Sequence, residues 1–150
     1  MARGSDARAV SRHRRAARKC LAQALYQLQV GGHVWQDVHQ QFIADPEFAD
    51  ADAEYFRDAL MYIAEHRGPL DERIVAFSDV DLDRLDPVEH GVLWLGLYEL
   101  TERADVPYRV IINEAVELTK RFGATDGHKY VNAVLDRAAQ ALRGAEHGAD

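Results

Sequence analysis

An all-α fold is the architecture this sequence predicts, and three observations carry the prediction. Apolar residues recur at spacings of three and four along most of the chain, the period of a helix with 3.6 residues per turn. Prolines open and glycines close the recurring segments, as at Pro87, Pro107, Gly31-Gly32 and Gly123. No run alternates strictly between apolar and polar residues, so nothing reads as a sheet. The expected arrangement is about six to seven helices in two packed sub-bundles. They form one domain over residues 12–143, between a flexible basic tail at 1–11 and a flexible tail at 144–150.

Residues 1–11 lack any period and hold Gly4 and Ser5 among charged and small residues. From Arg12 to Gln29, the residues Ala17, Cys20, Leu21, Ala24, Leu25 and Leu28 make a core stripe that Gly31-Gly32 ends. Arg14 and Arg18 stand one turn apart, as do Arg15 and Lys19. Like charges at that spacing repel, and a bound anion relieves the repulsion. A short helix follows from Val34 to about Ile43 on Trp35, Val38 and Phe42, until Asp45-Pro46 breaks the pattern. A third spans Asp52 to Glu65 with Phe56, Ala59, Leu60 and Ile63 inward. Gly68-Pro69 stops it, and a fourth runs from Leu70 to Phe77.

The acidic linker SDVDLDRLDP allows a single turn around Leu82 and Leu85. Pro87 begins the fifth major helix, through Val88, Val92, Leu93, Leu95, Leu97 and Leu100, the most apolar segment present. After Pro107, a stripe of Val110, Ile111, Ala115, Leu118, Thr119 and Phe122 marks another helix. The last opens near Thr125-Asp126 and buries Tyr130, Val131, Val134, Leu135, Ala138, Ala141 and Leu142. Two helices joined by about three residues must be close neighbours. Their junction crowds Lys120, Arg121, Phe122, Asp126, His128, Lys129 and Tyr130 around a helix N-terminus, which itself favours phosphate.

A chain of 150 residues with 47% hydrophobic content can bury a real core in one domain. No stretch approaches 18 apolar residues, so no membrane-spanning helix is expected. The start, MARGSDARAVSRHRR, has no apolar segment behind its charges, so no secretory signal is expected. Cys20 stands alone, so no internal disulfide framework exists, and a reducing compartment, the cytoplasm, is expected. Charge is unevenly spread. Seven cations against Asp6 give the first twenty residues a net +6, leaving −13 on the remainder of a chain whose total is −7. Such a chain meets polyanions through a local patch and not over its whole surface.

The run VPYRVIINEAVELTKRFGATDGHKYVNAVLDRAA resembles the C-terminal signature of the NusB family of bacterial transcription antitermination factors, with Ala133 where glycine is frequent. ARKCLAQALY, from Ala17 to Tyr26, is similar to that family's first helix, and VLWLGLYEL, from Val92 to Leu100, to its middle helix. The resemblance is collinear over residues 12–140. It implies the NusB fold and binding of a boxA-like single-stranded element of nascent ribosomal RNA, together with the small ribosomal-subunit protein NusE. It also implies work within a transcription elongation complex. NusB-like domains also occur attached to ribosomal RNA methyltransferases; with the sequence ending at RGAEHGAD, a stand-alone factor is the expectation.

The resemblance implies RNA contact at the arginine arm of Arg12, Arg14, Arg15, Arg18 and Lys19, in which Arg14, Arg15 and Arg18 are the positions that match. Arginine suits this work because its planar fork grips phosphate through two bonds and stacks on bases. The bland reading of the arm is a solvated helix face. At the junction, Lys120 and Lys129 would hold phosphates while Phe122 and Tyr130 offer rings to splayed bases. Both rings also read as plain core. Asp126 is expected to cap the last helix, and its family equivalent lies at the RNA-facing edge. It would accept from base N–H groups or orient Lys129, and the roles are compatible. Arm and junction are expected to converge into one cationic groove.

The resemblance turns Tyr26 and Glu89 toward NusE. Their bland readings are a half-buried core edge for Tyr26 and a dipole-complementing first-turn acid for Glu89. Trp94 stands where relatives often carry arginine, and as an exposed ring it would stack instead. No histidine falls in metal-ligand spacing, and no phosphate loop or nucleophile–base pattern appears. The expectation is therefore no metal, no cofactor and no catalysis. The competing expectation is a protein-interaction module of the same fold with little RNA affinity. Both a monomer and a homodimer stay open.

Overall fold

The computed structural model describes residues 2–144, with side chains described from Asp6 onward. These residues form seven α-helices and two short 3-10 turns, and no strand occurs among them. The chain divides into two compact units, Met1–Ala64 and Glu65–Asp150. None of the described helices is long and apolar enough to cross a membrane. The expected C-terminal tail lies, beyond Gly144, outside the described residues.

The first unit holds α1 (Ala2–Val30), α2 (Trp35–Ile43), a 3-10 turn (Pro46–Asp50) and all but the last residue of α3 (Ala53–Glu65). Leu21, Leu25 and Leu28 of α1 are buried, as are Val38 of α2 and Tyr55, Phe56, Leu60 and Ile63 of α3. Helix α1 starts ten residues before the position its apolar stripe predicts. From Asp6 to Arg12 it is almost wholly exposed and buries nothing, so this stretch carries no apolar period. Ala7, Arg8 and Ala9 are strong helix formers, and the anchored remainder of α1 already meets the nucleation cost.

The 3-10 turn was legible only as a break. The Asp45 carboxylate accepts the Glu47 N–H at 2.9 Å. That turn delivers Phe48 edge-on to the Phe56 ring, with centroids 4.9 Å apart. The His13 ring nitrogen then meets the Asp50 carbonyl at 2.6 Å, and the Asp52 N–H donates to the His13 carbonyl at 3.0 Å. These bonds tie the turn to the middle of α1.

The second unit holds α4 (Arg67–Phe77), a 3-10 turn (Leu82–Arg84), α5 (Pro87–Glu102), α6 (Tyr108–Phe122) and α7 (Gly127–Leu142). Helix α5 is its centre, touched by α4, α6 and α7, and every residue from Gly91 to Leu100 is buried. A helix covered on all sides has no polar face, which explains its continuous apolar text. Leu93 and Leu97 are fully buried there, each contributing about 1.5–3 kcal/mol. Gly96 lets α7 approach: a Cβ there would stand 2.8 Å from both Leu135 methyl carbons.

Several boundaries differ from expectation for local reasons. Gly68 and Pro69 lie inside the first turn of α4, where proline's missing N–H leaves no bond unmade. The stripe of α6 is rotated, so Val110 is exposed while Tyr108 and Ile112 are buried. Gly123 ends α6 in an extended conformation. Glycine is needed there because a Cβ would stand 2.8 Å from the Thr119 carbonyl oxygen. At the far end of α7, Arg143 donates to four carbonyls: Leu100 at 2.9 Å, Val106 at 3.1 Å, Glu99 at 3.2 Å and Arg103 at 2.9 Å. Three of these belong to the last turn of α5 or its cap, so one guanidinium satisfies acceptors that the helix leaves open.

Candidate nucleic-acid interface

In the first unit the cations belong to α1. At 100° per residue, Arg8, Arg12, Arg15 and Lys19 fall on one face, and all four are exposed. Cations therefore recur every 4–6 Å or so along an axis length of about 16 Å. Arg12 Nε lies 3.8 Å from the Asp50 carboxylate, with both side chains mostly in solvent. Such an exposed pair contributes only about 0.2–1 kcal/mol, so phosphate competes readily with it.

Arg14 and Arg18 occupy a different face, directed at Tyr55 of α3. Their guanidinium carbons lie 5.3 Å and 5.7 Å from the centroid of that ring. Arg18 is only 4% exposed, and Arg14 is half-buried. The expectation that Arg18 reaches phosphate is corrected here. Its charge is held against an aromatic face in the interior, an arrangement favourable by about 0.5–2 kcal/mol.

The second set surrounds the link between α6 and α7. Lys120 is exposed and pairs with Glu117 at 3.7 Å, one turn back. The Arg121 guanidinium lies 5.4 Å from the centre of the half-buried Phe122 ring. Lys129 is more open than Lys120, its side chain 73% exposed against 51%, and it pairs with Asp126 at 3.3 Å. Tyr130 is half-buried, and its hydroxyl meets the Ser78 hydroxyl across from α4. That bond fixes the ring and turns its polar tip inward. Both rings thus combine core packing with a partly open face.

Asp126 stands at the N-cap position of α7, but its side chain accepts no capping bond. Its φ of +68° lies in the left-handed region, which carries the carboxylate away from the helix N–H groups. The expected cap is therefore absent, and the carboxylate pairs with Lys129 instead.

The anionic group next to the start of α7 is Glu89, from the first turn of α5. It is 7% exposed. Its carboxyl lies so close to Gly127 that a Cβ there would stand 2.5 Å from the carboxyl carbon. Burial pushes this carboxyl above the usual carboxylate range, and the Asp86 charge and hydrogen bond add to the rise. A bond from the Ala124 N–H acts in the other direction. The Glu89 Oε2 atom has no hydrogen-bond partner.

Tyr26 stays a candidate for protein contact. It is 42% exposed, and Val30, one turn along α1, is also exposed. Trp94 is not an open stacking platform. It is buried, donates from Nε1 to Asp71 at 2.8 Å, and lies 4.4 Å from the His90 ring centre. His90 Nε2 meets the same Asp71 oxygen at 2.6 Å.

The NusB family model matches residues 15–140. This chain belongs to the NusB family. The match begins just after Arg12 and Arg14 and takes in the whole α6–α7 link. The transcription antitermination protein NusB of Pseudomonas putida is 51% identical over 136 residues, covering 91% of this chain and 82% of the relative. Its counterpart from Alcanivorax borkumensis is 49% identical over 133 residues, covering 89% of each. The structure of T. maritima NusB superposes with a TM-score of 0.74 at 32% identity, covering 85% of this chain and 90% of that one. The all-helical architecture is thus that of a NusB protein.

Two residues of this NusB chain gain their part only from its structure. Nothing in the text of α3 reveals that Arg14 and Arg18 face Tyr55. Arg8 does carry a signal in the sequence, its spacing of four from Arg12.

Proposed function

We propose that this chain is a transcription antitermination factor that binds a boxA-like single-stranded element of nascent ribosomal RNA together with NusE, within the transcription elongation complex. The carrying observation is the exposed line of Arg8, Arg12, Arg15 and Lys19 on a chain whose remaining residues are strongly anionic. A line of cations at helical spacing neutralises successive phosphates, and that supplies affinity without sequence choice. Choice would come from the α6–α7 link. Phe122 and Tyr130 present partly open rings for stacking, Lys120 and Lys129 hold the backbone, and Asp126 accepts from base N–H groups. Arg14 adds a half-buried guanidinium, while Arg18 supports the arm by packing on Tyr55. Tyr26 with Val30 would meet NusE through an aromatic anchor beside an aliphatic one. This is binding work in the cytoplasm, with no cofactor and no bond broken.

A second reading has an observation in its favour. Arg12, Lys120 and Lys129 each already face a carboxylate, which suits a protein-interaction module with little RNA affinity of its own. Titration of boxA RNA and of a scrambled RNA, each with and without NusE, separates the two. Preference for boxA that strengthens with NusE supports the antitermination factor. Equal, weak binding of both RNAs under every condition leaves the module.

A further inference from the structure

The α6–α7 link has an unusual support. Residues 123–126 join the two helices, and Asp126 holds a left-handed backbone with no side-chain cap. Aspartate is one of the few L-residues that visits that region singly. Glu89 lies against the residues on either side of it. Its carboxyl accepts from the Ala124 N–H, contacts Gly127 and hydrogen-bonds the Asp86 carboxyl. Asp86 in turn accepts the Val88 N–H at 2.8 Å, which pins it to the start of α5. The remaining oxygen, Oε2, is buried and has no partner. An orphaned buried acceptor costs free energy, and its retention calls for an explanation.

We infer that Glu89 is a positioning residue for RNA recognition: by bracing Ala124 and Gly127 from beneath, it sets the orientation in which Asp126 and Lys129 meet the RNA. This rests on the RNA-binding reading above and names a residue in it that touches no nucleotide. Gly127 belongs to the same device, because any side chain there would displace the brace. The Asp126–Lys129 pair sits on the braced residues at 3.3 Å, so a shift of the link moves an acceptor and a cation together. Discrimination between base sequences depends on that placement more than overall affinity does.

The test compares the unaltered full chain with Glu89→Gln, Glu89→Ala and Gly127→Ala. The probes are a boxA RNA and its scrambled counterpart, with NusE present and thermal unfolding recorded for each variant. Glutamine keeps the shape, accepts from Ala124 and donates to Asp86, so Glu89→Gln should hold the boxA-to-scrambled affinity ratio within about twofold. Glu89→Ala and Gly127→Ala should lower that ratio about tenfold while their salt dependence, which counts phosphates, stays unchanged. A merely structural role would weaken both RNAs alike. Should Glu89→Ala not fold, Gly127→Ala carries the same comparison. If the unaltered chain discriminates and both alanine variants discriminate equally well, the positioning role is overturned while RNA binding stands. Absence of any boxA preference in the unaltered chain overturns the RNA reading, and this role with it.

Discussion

Replacing Arg12 and Arg15 together by alanine should flatten the salt dependence of RNA binding, whereas Arg18→Ala should leave it alone. The contrast comes directly from exposure. Arg12 and Arg15 lie on the open face of α1, and Arg18 is 4% exposed against Tyr55. Each phosphate neutralised on a single strand contributes about 0.7 to the slope of log affinity against log salt, so two lost contacts reduce it by about 1.4. Over a rise from about 50 to 200 mM salt, the double variant should then lose about sevenfold less affinity than the parent does. Arg18→Ala should instead act on stability, removing an interaction of about 0.5–2 kcal/mol with the Tyr55 face. Fluorescence anisotropy with labelled boxA RNA at five or six salt concentrations measures the slopes, and urea unfolding measures the stabilities. An unchanged slope in the double variant would refute the assignment of this face to phosphate. A flattened slope in a fully stable Arg18→Ala protein would refute the burial argument.

Three further outcomes are expected. Arg143→Ala removes four hydrogen bonds, three at the end of α5 and one to Val106 beyond it, and should cost about 3 kcal/mol, taking about 1 kcal/mol per bond with partial replacement by water; urea unfolding reads it, and a loss under about 1 kcal/mol contradicts the account. Glu89→Gln should stabilise the protein near neutral pH and lose that advantage in acid. The folded state raises the Glu89 pKa, so the native carboxyl contributes most when protonated and its contribution falls as pH climbs through the raised value. Thermal unfolding at pH 4 and pH 8 checks this, and an equal gain at both contradicts it. Gly96→Ala should destabilise by about 1–3 kcal/mol despite better helix propensity, because its methyl would overpack against Leu135; calorimetry showing a raised Tm would sink the prediction.

What could be read from the residues alone follows from how local each cause is. Helix α5 was recognisable because burial on every side leaves an uninterrupted apolar text. The α6–α7 pair was recognisable because its stripes and short link are neighbours in the chain. The burial of Glu89 is illegible for the complementary reason. An acid two residues after Pro87 looks like a solvated partner of the helix dipole, and nothing nearby announces Gly127. Trp94 reads as an open ring because Asp71, which receives its N–H at 2.8 Å, comes from another helix. Arg18 belongs to the same class, since the ring that claims it is on α3. The 3-10 turn is hidden because Asp45-Pro46 signals only an interruption, while Phe48 acquires its meaning from Phe56. Family resemblance points to a class of ligand, and tertiary neighbours decide which side chains remain exposed.

The early start of α1 has a consequence for the cationic line. Arg8 keeps its station relative to Arg15 only while the residues from Arg8 to Arg12 are coiled, and these residues bury too little to be clamped by tertiary packing. Their order is therefore governed by the helix–coil balance, with mutual repulsion between arginines one turn apart pulling toward the coil by about 0.2–0.5 kcal/mol per pair. Counter-charge laid along this face removes that pull. A polyanion would thereby lengthen and stiffen the rod on which it rests, and a rise in helical circular dichroism on adding polyphosphate would register it.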